Sequence, residues 1–112
     1  NPISRKYGFS KNTLSKLLSC VGVEYIHIPE LGIESTERKN LNTQSDYDQL
    51  FNAYERTALE DQKPAINQVL NVYEEKKRIA LTCFEKEHVQ CHRSRLADKL
   101  KSINSELEVL HL

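Results

Sequence analysis

Short β-branched apolar runs alternate along this chain with longer stretches of helical periodicity. The runs are Val23–Ile28, Lys77–Phe84 and Leu107–Leu112, and each lies next to a stretch with apolar residues at helical spacing. Strands that are separated by helices pair in parallel and cross over in the right-handed sense. The pattern therefore predicts a three-layer α/β domain, with a mostly parallel sheet flanked by helices.

The helical stretches have recognisable start and stop signals. Ser10 has the side chain of an N-cap for the first helix, and Gly22 stops it. Ser45 and Asp48 form a capping-box pattern before the second helix. Pro64 is placed to start a third helix within its first turn, since proline lacks the N–H that a helix interior needs.

Composition restricts the partners of the chain. At 112 residues, with 38% hydrophobic and 29% charged residues, it has the size of one domain and the balance of an ordinary folded protein. Sixteen Lys and Arg balance sixteen Asp and Glu, so nucleic acid is an unlikely partner except through a local patch. No apolar run is long enough for a membrane span. Three cysteines, an odd number, predict a reducing, cytoplasmic location.

The start of the chain predicts a truncated domain. The sequence has no methionine and opens on Asn1-Pro2. We therefore expect residues 1–112 to be the C-terminal portion of a larger α/β domain that has lost its first strands. An exposed sheet edge would favour pairing with a second copy, so a homodimer is a possible assembly.

Two thiols lie around the predicted turn between the second strand and the last helix, which spans about Val89 to Ser102. Cys91 falls near the first turn of this helix, where the helix dipole and nearby cations favour a thiolate. A catalytic hypothesis makes Cys91 a nucleophile, His92 its base and Glu85 the group that orients the imidazole. The alternative is that Cys91 only packs and His92 is solvated.

The same turn predicts an anion site, which is the interpretation we favour from sequence. Backbone N–H groups at the helix start, together with Arg93, can bind a phosphate or a carboxylate. Ser4 and Arg5 in the N-terminal loop, and Glu30 after the first strand, would converge on this C-terminal edge of the sheet. The expected ligand is a small phosphate- or nucleotide-like anion.

No metal site is predicted, and no cofactor is indicated. Zinc could be held by Cys83, His88, Cys91 and His92, but their spacing matches no familiar zinc-finger pattern. Residues 91 and 92 would also point in different directions from a helix. Cys83, at the end of a buried strand, is expected to be a core residue.

Three segments together resemble the domain of unknown function 488 family. They are Asn1–Arg5 with Gly8–Ser10, then Tyr25–Gly32, and Cys83–Glu85 through Cys91–Arg93. In that family, further strands precede the first segment, which agrees with a truncated domain here. The resemblance implies a site made of Ser4, Arg5, Glu30, Glu85, Cys91, His92 and Arg93. It implies no activity, so whether the chain is an enzyme stays open.

Three classes of function remain open from sequence. The first is binding of a small anionic ligand, with Arg5 and Arg93 as clamps. The second is a thiol-dependent enzyme that uses Cys91. The third is an interaction domain without catalysis, whose polar loop 34–43 or sheet edge meets a protein or a nucleic acid.

Overall fold

The structure, a computed structural model, describes residues 7–83, 85 and 87–112. The chain divides into two compact units, Asn1–Gly32 and Ile33–Leu112; that it is one domain stays a prediction. The α-helices are α1 (Lys11–Ser19), α2 (Gln44–Arg56), α3 (Ala58–Asp61), α4 (Lys63–Lys76) and α5 (His92–Ile103), and the 3₁₀ turns are Pro29–Leu31 and His88–Gln90. None of these helices is long and apolar enough to cross a membrane.

The predicted parallel sheet is wrong, and with it the three-layer α/β architecture. None of the described residues forms a strand. At two of the three apolar runs the first backbone N–H makes a turn bond instead: Val23 donates to the Leu18 carbonyl at 3.0 Å and Leu107 to that of Asn104 at 3.2 Å. A strand is stable only when a neighbouring strand pairs with its backbone. The apolar runs have the side chains that are typical of strands, but their composition cannot provide the neighbouring strand that each would need.

The first helix confirms its predicted boundaries. Ser10 is the N-cap of α1, with the extended backbone typical of that position (φ −70°, ψ 148°). Its hydroxyl donates to the Thr13 hydroxyl at 2.9 Å. Gly22, two residues past the Cys20 C-cap, has φ +74°, a conformation that costs glycine nothing. The start of α1 was therefore predicted correctly, although the Ser10 side chain makes no capping hydrogen bond, and the helix ends at Ser19, shortly before the predicted stop.

The second helix begins two residues before the predicted position. Thr43, not Ser45, is the N-cap of α2, and Asp46 completes a reciprocal capping box. The Asp46 N–H donates to the Thr43 hydroxyl at 3.3 Å, while the Thr43 N–H donates to Asp46 Oδ2 at 2.8 Å. The motif type was right and its position was wrong, because Thr43-x-x-Asp46 and Ser45-x-x-Asp48 satisfy the same pattern.

The core of the second unit is formed by apolar side chains from its four helices. Leu59 and Ile66 are the most deeply buried of these, at 1% and 2% exposure. Others that are buried are Phe51, Tyr54, Ala65, Val69, Leu96, Ala97 and Leu100. Burying a leucine, isoleucine or phenylalanine side chain contributes about 1.5–3 kcal/mol. Pro64 lies in the first turn of α4, as predicted.

The last helix begins later than predicted, and the difference decides the geometry of the site. Its first helical residue is His92, and Cys91 is its N-cap, with an extended backbone (φ −136°, ψ 134°). A 3₁₀ turn, His88–Gln90, occupies what was expected to be the first helical turn. At the other end of the helix, Ile103 is half exposed.

Candidate functional site

Four chemically reactive side chains meet at the start of α5. We call Cys83, Glu85, Cys91 and His92 the Cys–His cluster: each offers one donor atom, and these four atoms all lie within 4.8 Å of one another. Cys83 and Glu85 come from the segment that precedes the 3₁₀ turn, and the turn brings that segment back against the helix start.

The convergence depends on the backbone of Cys91. Because Cys91 is the N-cap, its extended conformation frees its side chain from the helical direction that His92 follows. The side chains of residues 91 and 92 would point in different directions only if both residues were helical. Outside the helix, neighbouring residues can present their side chains to one centre.

Contacts within the Cys–His cluster are close. The Cys83 thiol donates to Glu85 Oε2 at 2.6 Å, and Cys83 Sγ lies 3.7 Å from His92 Nδ1. Cys91 is 1% exposed, whereas the other three are partly exposed. A thiolate and a carboxylate at 2.6 Å would repel each other, so in the metal-free protein the thiol proton lies between them.

Three neighbours hold the Cys–His cluster in place. Arg38 Nη1 donates to Glu85 Oε1 at 3.0 Å, and Arg93 Nη1 donates to the Glu85 carbonyl at 2.9 Å. Glu85 is therefore fixed at both its side chain and its backbone. On the other side, the Tyr54 and His92 rings make a T-shaped contact, with centroids 5.5 Å apart.

The two thiols of the Cys–His cluster differ in acidity. A hydrogen bond from the Cys91 thiol, with help from His92, lowers the pKa of Cys83. The same bond to Cys83, together with burial, raises the pKa of Cys91. The Arg93 N–H, at 3.4 Å from Cys91 Sγ, lowers the pKa of Cys91 as a helix start should, but its effect is outweighed. Of the pair, Cys83 loses its proton first.

The structure gathers four of the seven predicted site residues. Glu85, Cys91, His92 and Arg93 lie together, as the contacts above show. Ser4 and Arg5 lie outside the described residues, so their part in the site stays a prediction. Glu30 is an exposed residue of the first unit.

Sequence reasoning missed Cys83 and Arg38. Cys83 was assigned to the core because it ended a predicted strand; its spacing from Cys91 was the signal that could have included it. Arg38 comes from loop 34–43, 47 residues before its partner Glu85, and no local pattern indicates that pairing. His88, part of the zinc set considered from sequence, instead stacks on His111 with ring centroids 4.2 Å apart.

The donor set of the Cys–His cluster suits a transition metal. Zinc binds thiolate sulfur at about 2.3 Å and imidazole nitrogen at about 2.0–2.1 Å, so the donors of a tetrahedral site stand about 3.3–3.8 Å apart. The 3.7 Å between Cys83 Sγ and His92 Nδ1 falls in that range. Two adjustments are needed: the largest separation in the cluster, within 4.8 Å, has to shorten by about 1 Å, and the 2.6 Å between Cys83 Sγ and Glu85 Oε2 has to lengthen by about 1 Å. Side-chain rotation can supply both.

One comparison with known proteins gives a match. The family model of DUF488, a domain of unknown function, matches residues 1–100 and so includes all four members of the Cys–His cluster. No curated protein and no solved structure shows significant similarity to the chain.

Proposed function

The chain belongs to the DUF488 family, and we propose that it is a metal-binding protein whose Cys–His cluster holds one zinc ion. Because the family is one of unknown function, the proposal is drawn from the donor geometry. The observation that carries it is the presence of two sulfurs, one imidazole nitrogen and one carboxylate oxygen within 4.8 Å of one another.

The chemistry of the donors selects the metal. Thiolate and imidazole together favour zinc and disfavour calcium and magnesium, which prefer sites made of oxygen. Zinc would also replace the proton between Cys83 and Glu85 and stabilise both thiolates. That includes Cys91, whose raised pKa otherwise keeps it protonated.

The surroundings of the Cys–His cluster resemble the outer shell of a metal centre. Ligands of a bound metal are usually fixed by hydrogen bonds from neighbouring groups, which set their orientation. Here Arg38 holds the Glu85 carboxylate, the Arg93 N–H points to Cys91 Sγ, and the Tyr54 ring makes a T-shaped contact with the His92 ring.

A bound metal would also link two parts of the second unit. Cys83 and Glu85 precede the 3₁₀ turn, and Cys91 and His92 begin α5. An ion shared by these residues would connect the segment before the turn to the helix start, so that metal affinity contributes to folding stability. We therefore expect zinc to raise the midpoint of thermal unfolding.

Metal analysis of the full chain tests the proposal. Protein purified without chelator should contain about one equivalent of zinc, and Co²⁺ exchanged into it should show thiolate-to-metal charge-transfer absorption. Cys20→Ser is the matched control, because Cys20 is exposed and lies in the first unit. Cys83→Ser should lose the Co²⁺ absorption. A Cys83→Ser protein that binds metal as tightly as Cys20→Ser would refute the proposed site.

A second candidate function is thiol chemistry in the metal-free protein. The specific observation is the lowered pKa of Cys83, a partly exposed thiol 3.7 Å from the His92 imidazole. Nucleophilic cysteines are thiolates with a nearby histidine. In this geometry Cys83, which is partly exposed, would be the nucleophile; sequence analysis had assigned attack to Cys91.

Binding of a small anion, as predicted from sequence, stays a prediction for Ser4, Arg5 and Glu30. Of the predicted clamps, Arg93 donates to the Glu85 carbonyl. The described part of the chain offers a different place for an anion, namely the Glu85 position of the metal site.

A further inference from the structure

Glu85 differs from the other three donors of the Cys–His cluster. It alone offers the metal an oxygen, which zinc holds less firmly than thiolate sulfur or imidazole nitrogen when softer ligands are present. Its carboxylate is also shared, because Oε1 accepts from Arg38 while Oε2 faces Cys83. Arg38 and a bound metal would therefore share one carboxylate through its two different oxygens.

The Arg38–Glu85 pair is also open to solvent. The side chains of Arg38 and Glu85 are 23% and 22% exposed, whereas Cys91 is 1% exposed. A molecule arriving from solvent can therefore reach the Arg38–Glu85 pair without displacing Cys91 from the interior.

The backbone of Glu85 is held separately from its side chain. Arg93 Nη1 donates to the Glu85 carbonyl at 2.9 Å. The carboxylate can therefore rotate away while the chain stays in place, and Cys83, two residues earlier, keeps its position. Three donors would remain fixed around the metal.

We propose that Glu85 is an exchangeable ligand, and that a small carboxylate or phosphate replaces it on both the metal and Arg38. The inference rests on the proposed metal site and adds the class of its ligand. Zinc with three protein donors and one replaceable oxygen donor is the arrangement of a site that binds a ligand.

The exchange balances in charge and needs no redox partner. With a metal bound, the bond from Glu85 to the metal would break and one from the incoming oxyanion would form, while the Glu85 carboxylate would move into solvent. Zinc and two thiolates sum to zero, so the guanidinium of Arg38 neutralises whichever singly charged oxyanion is bound. A carboxylate reproduces the group that it displaces, and we expect it to bind better than phosphate.

Visible spectra of the Co²⁺-loaded full chain test the exchange. Acetate should change the ligand-field bands of bound Co²⁺ and leave the thiolate charge-transfer bands in place. In Glu85→Ala the competing carboxylate is gone, so acetate should bind about tenfold tighter or more. In Arg38→Gln it should bind about tenfold weaker. Arg56→Gln, an exposed arginine of the same unit, is the control and should match the unmodified chain.

The outcomes separate the two proposals. Absence of Co²⁺ charge-transfer bands in the unmodified chain would refute the metal site itself. Charge-transfer bands with no response to acetate or phosphate, in both the unmodified chain and Glu85→Ala, would leave the metal site standing and overturn the exchange. Glu85→Gln, closer in size, replaces Glu85→Ala if the latter has lost its circular dichroism. An equal acetate response in Arg38→Gln and Arg56→Gln would remove Arg38 from the site, and tighter binding of phosphate than acetate would exclude the carboxylate preference.

Discussion

The helices α2 and α5 begin in different ways. At the start of α2, Thr43 and Asp46 satisfy each other's backbone N–H groups in a capping box. At the start of α5, a cysteine occupies the N-cap, and its Sγ accepts from the Arg93 N–H at 3.4 Å. Sulfur is a weak acceptor, and cysteine is not among the preferred N-cap residues.

The two helix starts differ in the burial of their N-cap residues and in what those residues contact. Thr43 is exposed and serves only its helix, whereas Cys91 is among the most buried residues of the described chain. A serine at position 91 would cap better. The cysteine is explained by the role that we propose for it, a metal donor in the Cys–His cluster.

Replacement of Cys91 by serine should produce the largest effect. Metal affinity should fall by more than the roughly 10- to 100-fold that loss of an outer-shell group costs, because a direct donor is removed. The metal-free protein should keep its stability within about 1 kcal/mol, since serine is a better N-cap. Zinc titration and chemical unfolding with and without chelator measure the two quantities.

Cys91→Ala is the matched variant, since it removes both the metal donor and the cap. It should lose metal affinity as Cys91→Ser does but be less stable without metal. If Cys91→Ser instead binds zinc normally and unfolds at a lower denaturant concentration, Cys91 is a packing residue. The contrast between the two helix starts would then have no functional meaning.

Alkylation should separate the two thiols of the Cys–His cluster. In metal-free Cys20→Ser protein, Cys83 should be modified well before Cys91, because the pKa of Cys83 is lowered and Cys91 is buried with a raised pKa. Mass spectrometry of digested protein at timed intervals measures both sites.

Zinc should protect Cys83 in the same experiment, because a metal-bound sulfur is a poorer nucleophile than the free thiolate. Faster modification of Cys91 than of Cys83 in folded, metal-free protein would reverse the assignment. It would favour the sequence-based hypothesis in which Cys91 is the nucleophile.

Loss of the α2 cap should have a moderate effect that is confined to stability. Thr43→Ala removes the acceptor of the Asp46 N–H and should cost about 1 kcal/mol in the free energy of unfolding. Thr43→Ser keeps the hydroxyl and is the control. Zinc affinity should be unchanged in both. A change in zinc affinity as large as that of Cys91→Ser would show that the two helix starts are coupled.

Much of the helical structure could be predicted from local signals. The cap at Ser10, the stop at Gly22 and the first turn at Pro64 were all confirmed, because each depends on residues within one turn of the chain. The sheet was not predictable in this way. Apolar alternation can suggest a strand, but only a partner from another part of the chain makes one, and the described residues contain no such pair.

The site was predictable in its location but not in its membership. Glu85, Cys91 and His92 were chosen because reactive side chains were close in sequence, and the structure brings their donor atoms together. Cys83 was misplaced by the strand prediction. Arg38 could not be found, since its ion pair with Glu85 depends on how loop 34–43 folds against the helix start.

The smallest expected effect is on the free energy of unfolding at acid pH, and it comes from Asp46. Hydrogen bonds from the backbone N–H groups of Thr43 and Asn42 lower the pKa of Asp46 below its ordinary value of 3.8. A carboxyl whose folded pKa is depressed stabilises the fold above its unfolded pKa and loses that contribution as the pH falls through its folded pKa. The Asp46 contribution should therefore be complete above about pH 4 and disappear below it.

The test compares the free energy of unfolding at pH 6 and at pH 2. Asp46→Asn should remove the loss of stability that Asp46 causes between these two pH values, whereas Asp98→Asn, a change at an exposed residue of α5, should retain it. If Asp46→Asn loses as much stability between pH 6 and pH 2 as the unmodified chain, the Asp46 carboxylate does not stabilise the start of α2. The contrast with the cysteine-capped α5 would then rest on Thr43 alone.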